Sequence, residues 1–254
     1  MNAIDKLVLQ TKEATCEHHG DYQSRNVFGS IWSRCPVCEQ IRKEKEDAEK
    51  SLRDREERRR RWEQKLGESG IPYRFRDRKL SDYVADSEGK KRALEFAKSF
   101  AAGFEKHAYI TGQSAVFVGK PGTGKTHLAA GIGLALMENG YSVLFCTVMR
   151  AIRRVKDTWG GNRGQTESGA IAALVEPDLL ILDEVGVQFG SETEKLIMFD
   201  ILNERYEKRK SCLLLSNLST DEVFAFLGER VLDRMKEDGG NVIPFNWESY
   251  RGKA

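Results

Sequence analysis

Two stretches of this chain carry side chains suited to phosphate chemistry. The first is Gly119-Lys120-Pro121-Gly122-Thr123-Gly124-Lys125-Thr126, followed by His127. Glycines at these intervals let the backbone curl so that successive N–H groups face one concavity, and a helix starting there adds the positive end of its dipole. Lys125 is spaced to reach the β- and γ-phosphates of a nucleotide, and Thr126 to offer its hydroxyl to Mg2+. The second stretch is Asp183-Glu184, delivered by the apolar run Leu179-Leu180-Ile181-Leu182. Asp183 suits the Mg2+ shell, and Glu184 suits a base that orients and deprotonates an attacking water. The alternatives are a glycine-rich turn with a chance lysine, and two acids that cap the next helix.

Two further groups fit the same chemistry. Leu213-Leu214-Leu215-Ser216 ends at Asn217, a polar side chain at a sheet edge where a γ-phosphate or lytic water could be sensed. Arg230 and Arg234, four apart, share one helix face. Alone, that pair reads as surface charge.

A phosphate loop needs a strand before it and a helix after it. Ala115-Val116-Phe117-Val118 supplies the strand, and residues 127–137 carry a helical apolar stripe. Short apolar runs recur at 142–146, 179–182, 212–216 and 241–245, with helical patterns at 87–103, 148–159 and 192–208. This alternation predicts an α/β fold with a parallel five-stranded, doubly wound sheet flanked by helices. One strand intervenes along the sequence between the loop strand and the Asp-Glu strand, which favours an ATPase with a Glu base over a GTPase layout. ATP and Mg2+ are the expected ligands.

Ahead of this region lie Cys16-x-x-His19 and Cys35-Pro36-Val37-Cys38. Two close pairs suit a tetrahedral Zn2+ site held by two turns, with Gly20 and Pro36 as turn formers. His18 is the competing imidazole, and three free thiols the competing reading. Cys146 and Cys212 fall inside apolar strand runs and read as inert core thiols. Residues 39–66 are almost all charged or polar without Pro or Gly, which predicts a long helix with acid–base pairs three or four apart. Its apolar residues, Ile41, Ala48, Leu52, Trp62 and Leu66, are too sparse for a coiled-coil seam. A solvated spacer and a partner-binding helix both remain open. Glu56, Glu57 and Glu63 dilute the basic block 58–61. Residues 67–72 break the helix, giving three expected segments: a zinc module at 1–40, a charged linker helix at 41–69, and an ATPase domain at 70–254.

The chain has 254 residues, 40% hydrophobic and 31% charged, with a net charge of +2. A nucleic-acid surface must therefore be a local patch. No apolar run is long enough to span a bilayer and residues 1–15 lack a signal-like apolar core, so a cytoplasmic protein without a membrane partner is expected.

Taken together, these residues resemble the AAA+ ATPases, and more narrowly the DnaC-type bacterial and phage helicase loaders, related to the IstB transposition ATPases. The resemblance covers about residues 70–251. It rests on 119–126, Leu182-Asp183-Glu184-Val185-Gly186-Val187-Gln188, Leu215-Ser216-Asn217, the block 228–235, and Phe245-Asn246-Trp247-Glu248-Ser249-Tyr250-Arg251. The last two blocks are the narrowest of these motifs.

The resemblance implies an ATP site shared between subunits of a spiral or ring-like oligomer. In it, Arg234 is the finger that enters a neighbour's site, Arg251 is a second sensor on its own nucleotide, and Arg230 is structural. It also places residues 70–75 near the adenine. The helix after the second core strand, with Arg150, Arg153, Arg154, Lys156 and Trp159, would face single-stranded DNA; an ordinary solvated amphipathic helix is the alternative. The implied function is ATP-dependent loading of a hexameric DnaB-type replicative helicase onto single-stranded DNA, with the head as the helicase-binding part. A transposition helper of the IstB kind and a zinc-containing adaptor switched by ATP are the competing expectations.

Overall fold

The computed structural model describes residues 10–28, 31–66, 69–160, 164, 166–186, 191–236 and 239–250. Its contacts divide the chain into Met1–Asp54 and Arg55–Ala254.

In the first unit, β1 (Thr11–Cys16), β2 (Gly20–Phe28) and β3 (Ile31–Trp32) form an antiparallel sheet in that order. The β1–β2 hairpin pairs Cys16 with Gly20, whose φ of 73° lets the chain reverse directly after His19. The buried Ser24 hydroxyl donates to Ser33 O at 2.7 Å, tying β2 to the segment that leads into Cys35. Helix α1 (Pro36–Leu66) follows. Pro36 was expected in a turn but begins this helix, where its missing N–H costs nothing; the second cysteine pair therefore straddles a helix start. The unit boundary falls within α1. In the second unit, Arg55 pairs with Glu105 at 2.5 Å and lies 4.6 Å from the Tyr141 ring centre, and Arg58 donates to the Tyr109 hydroxyl at 3.1 Å.

The second unit continues through single-turn helices at Tyr73–Phe75 and Leu80–Asp82 to α2 (Glu88–Gly103), α3 (Ala108–Thr111), β4 (Ala115–Gly119), α4 (Lys125–Glu138), β5 (Val143–Thr147), α5 (Val148–Lys156) and α6 (Glu167–Val175). Then come β6 (Leu179–Val185), α7 (Glu192–Glu207), β7 (Ser211–Ser216), α8 (Thr220–Leu227), α9 (Glu229–Lys236) and β8 (Asn241–Phe245). The five strands are parallel in the order β5-β6-β7-β4-β8.

The sheet is covered on both faces, which is why its strands read as unbroken apolar runs rather than alternating ones. Val116, Val118, Leu144, Leu180, Leu182 and Leu214 turn to one core with α5, α6 and α7. Ala115, Phe117, Val143, Phe145, Ile181 and Leu215 turn to the other, with α2 and α4. Period-two alternation thus feeds two cores at once. Helix α4 is apolar nearly all round because it lies between the sheet and Leu80; a Cβ at Gly131 would meet Leu80 at 2.7 Å.

Candidate nucleotide and metal sites

The sheet order sets the nucleotide site. β7 separates β4, which feeds the glycine loop, from β6, which carries Asp183 and Glu184, so Asn217 leaves the sheet between the two. All three strands end at the same edge, where parallel α/β sheets bind ligands.

Several residues of the loop are held by neighbouring elements. Gly119 N donates to Leu218 O at 3.2 Å, and β8 pairs so closely that a Cβ at Gly119 would sit 2.5 Å from Phe245 O. Gly122 and Gly124 have φ of 75° and 96°, the left-handed conformations this curl needs. Gly124 is the N-cap of α4, whose first residue is Lys125. The Lys125 side chain is buried, and its Nζ donates to Gly119 O at 2.6 Å and Lys120 O at 2.8 Å. Lys120 and Pro121 are exposed. His127 sits edge-on to the Tyr83 ring at 5.5 Å, its Nε2 3.2 Å from Lys79 O.

Thr126 Oγ1 donates to Asp183 Oδ2 at 3.2 Å, so the two residues assigned to Mg2+ meet across elements 57 positions apart. Burial pushes the Asp183 carboxyl upward, against hydrogen bonds from the Glu184 N–H and Thr126 and the charge of Lys125. Beyond Leu182 the β6–β7 register advances from Leu182↔Leu214 to Val185↔Ser216, leaving one extra residue on β6. The bulge places Glu184 at φ 63° and turns its side chain to solvent. A non-glycine residue in that region is uncommon and is held by its surroundings. Here the holder is buried Ser216, whose hydroxyl donates to Val185 O at 2.5 Å and accepts from Leu218 N at 3.1 Å. This clamp escaped the sequence reading because a serine at a strand end carries no distinguishing pattern. Loop, carboxylates and edge fit a Mg2+–nucleotide: N–H groups and Lys125 for phosphate, Thr126 and Asp183 for the metal, Glu184 for water.

Arg234 lies elsewhere, on α9, its guanidinium 4.8 Å from the Tyr206 ring centre. It lines a cavity with Tyr206, Asn203 and Met235, and its buried Nη1 has no hydrogen-bond partner. Arg251, Val187, Gln188 and the Arg230 side chain fall outside the described residues.

On α5, Val148, Ala151, Ile152 and Val155 are buried, leaving Arg150 and Arg153 exposed. The remaining members of the expected DNA-facing set are paired with the protein or half-buried in it. Lys156 Nζ pairs with the buried Glu194 at 2.8 Å, the Trp159 indole N–H donates to Glu167 at 2.7 Å, and Arg154 is half-buried with its basicity lowered by that burial.

In the first unit, the ligand atoms of Cys16, His19, Cys35 and Cys38 all lie within 4.8 Å of one another. Cys16 Sγ is 3.6 Å from Cys38 Sγ, and His19 Nδ1 is 3.7, 3.7 and 3.2 Å from Cys16, Cys35 and Cys38. A tetrahedron built on Zn–S of ~2.3 Å and Zn–N of ~2.0–2.1 Å has edges of about 3.5–3.8 Å. The residues fit zinc, with His19 rather than His18 as the imidazole and Nδ1 as its ligand atom. Hydrogen bonding from the His18 backbone pulls the Cys16 thiol down to about 6, while the bond to Cys16 pushes Cys38 up to about 11. A cation is what lets crowded thiols ionise together.

The chain matches the family described as IstB-like ATP binding protein over residues 47–254. It is 40% identical over 188 residues to the replicative helicase loader DnaC of Buchnera aphidicola subsp. Baizongia pistaciae, covering 74% of this chain and 75% of the relative. It is 36% identical over 201 residues to the replicative helicase loader DnaC of Escherichia coli strain K12, covering 79% and 80%. The crystal structure of a DnaC helicase loader shares the fold, with a TM-score of 0.60 at 24% identity over 68% of this chain and 99% of that one. The chain therefore belongs to the DnaC-type loaders among the IstB-like ATP-binding proteins, on an AAA+ fold.

Proposed function

We propose that this protein is an ATP-dependent loader that places a hexameric DnaB-type replicative helicase onto single-stranded DNA. The observation that carries the reading is a nucleotide site with its parts in register, in a chain 36–40% identical to replicative helicase loaders over about three quarters of its length. Lys125 and the loop N–H groups bind the β- and γ-phosphates, Thr126 and Asp183 hold Mg2+, and Glu184 activates the water. Asn217 senses the γ-phosphate. Hydrolysis is completed in an oligomer, where Arg234 leaves its contact with Tyr206 and enters a neighbour's site, and Arg251 acts on its own nucleotide.

Single-stranded DNA runs past α5, contacting Arg150 and Arg153. Lys156 and Trp159 take part only after exchanging the contacts described above, and Arg154 only after leaving its half-buried position. The module at 1–40 binds one structural zinc through four protein ligands with no open position, so the metal supplies folding free energy rather than catalysis. That module and the charged segment 41–69 dock the helicase, and 70–254 forms the ATPase. Size-exclusion chromatography of the full chain with its cell's replicative helicase tests the reading: co-elution in Mg2+–ATP supports it, and separate elution with and without nucleotide contradicts it.

A further inference from the structure

The outer side of the glycine loop is gripped by two aromatic side chains that converge on one oxygen. Thr123 O accepts from Trp247 Nε1 at 2.8 Å and from the Tyr83 hydroxyl at 3.2 Å. A neighbouring oxygen, Gly122 O, accepts from Tyr250 N at 2.8 Å. Trp247 and Tyr250 lie just beyond β8, whose Phe245 is registered against Gly119, the first residue of the loop. The segment is thus laid along the loop from its first residue onward. Tyr83 arrives from 40 positions upstream, packed so tightly that a Cβ at Gly124 would lie 2.6 Å from its ring. Trp247 is seated against the Phe245 ring at 4.8 Å and would meet a Cβ at Gly89 at 3.0 Å.

The consequence follows from peptide geometry. In a planar trans peptide the C=O and the next N–H point in opposite directions. Holding Thr123 O outward aims Gly124 N–H inward, and holding Gly122 O outward aims Thr123 N–H inward. Those are the donors with which such a loop cradles phosphate. A carbonyl has two lone pairs, so either aromatic donor can still fix the peptide when the other is removed.

We infer that Tyr83 and Trp247 are redundant positioning residues, which hold the Thr123–Gly124 peptide in its phosphate-binding orientation and thereby set nucleotide affinity. This rests on the nucleotide-binding reading of the loop. Neither residue touches the reacting atoms.

The test uses Tyr83→Phe, Trp247→Phe and the double variant of the full chain; the first removes only the hydroxyl, and the second removes the indole N–H with part of the ring while keeping an aromatic side chain against Phe245. Titration with a fluorescent ATP analogue in Mg2+ is expected to show each single variant weakened about threefold or less, and the double variant more than thirtyfold, well beyond the product of the singles. Steady-state kinetics should place the loss mainly in KM, with kcat falling less. Multiplicative effects, or a double variant that binds like the wild type, overturn the inference. A wild type that binds no nucleotide instead overturns the functional reading, so the two failures are distinct. A second measurement does not depend on the double variant folding. With Trp32, Trp62 and Trp159 replaced by Phe, Trp247 is the sole tryptophan, and its emission is expected to shift on adding Mg2+–ATP. Unchanged emission at saturating nucleotide overturns the inference.

Discussion

The Thr126 hydroxyl donates to Asp183 Oδ2 across 3.2 Å, joining the first turn of the phosphate-loop helix to the end of β6. Burial raises the Asp183 carboxyl above its ordinary range, so at neutral pH its charge costs stability that a bound cation would offset. The native state then binds the proton more tightly than the unfolded chain. Stability therefore falls as pH rises from the ordinary aspartate value through the raised one, and the cost persists above that window. Asp183→Asn is expected to raise the melting temperature of the metal-free protein at pH 7 by about 2–4 °C, roughly 1 kcal/mol. The gain should vanish on acidification below the ordinary aspartate range, and Mg2+–ATP hydrolysis should be lost. Melting curves across pH with an ATPase assay check this.

Ser216 fixes the bulge that turns Glu184 to solvent. Glu184→Gln is expected to lower turnover about 100-fold or more while ATP still binds. Ser216→Ala leaves Val185 O without this donor and frees the left-handed turn, so kcat should fall about tenfold with ATP affinity nearly unchanged. Gly186→Ala should act in the same direction, because φ is 98° there and a Cβ would lie 2.3 Å from Leu218. Single-turnover hydrolysis at saturating ATP separates these effects from binding.

Arg205 is fully buried, and its guanidinium donates to Leu174 O at 3.1 Å, Val175 O at 2.9 Å, Pro177 O at 3.0 Å and Ser211 O. One side chain thus closes the C-terminal end of α6 and the start of β7. Arg205→Met is expected to destabilise the fold by about 3 kcal/mol, since several buried acceptors lose their donor together. Arg205→Lys should recover less than half of this, because an ammonium lacks the planar fork. Denaturant unfolding measures both.

Cys16, His19, Cys35 and Cys38 sit at spacings that match a tetrahedral ion. Purified protein is expected to carry about one zinc per chain, and Cys38→Ser or a strong chelator should remove it. Loss of metal should abolish protection of the β1–β2 hairpin in hydrogen exchange and leave ATP affinity within about twofold. Protein prepared without chelators that holds no zinc would falsify the assignment.

The local features were legible where one residue type does one job. Glycine spacing announced the loop, and apolar runs at 115–118, 142–146, 179–182, 212–216 and 241–245 coincide with β4 to β8 to within a residue, except that β6 continues to Val185, three residues past its run. The helix expected at 87–103 runs from Glu88 to Gly103, with Ser87 as its N-cap accepting from Lys90 N. What escaped depended on distant partners. The strands β1 and β2 are mostly polar and β3 has only two residues, so no apolar alternation marks them. Lys156 reads as a free cation until Glu194, 38 positions later, is brought against it. Arg205 carries no signal in the sequence, because its carbonyl acceptors lie up to 31 positions away. Tyr83 and Trp247, 164 positions apart by their numbering (247 − 83), meet only because β8 closes beside β4.

The most direct test of the loader reading is helicase loading itself. The cell's hexameric replicative helicase is mixed with circular single-stranded DNA coated by single-strand-binding protein, and DNA-bound helicase is counted with and without this chain. The account predicts that the wild-type chain with Mg2+–ATP raises loaded helicase about tenfold or more, and that Lys125→Ala, which removes the loop's ammonium, does not. Equal loading with and without the wild-type chain, under conditions where it hydrolyses ATP, would contradict it.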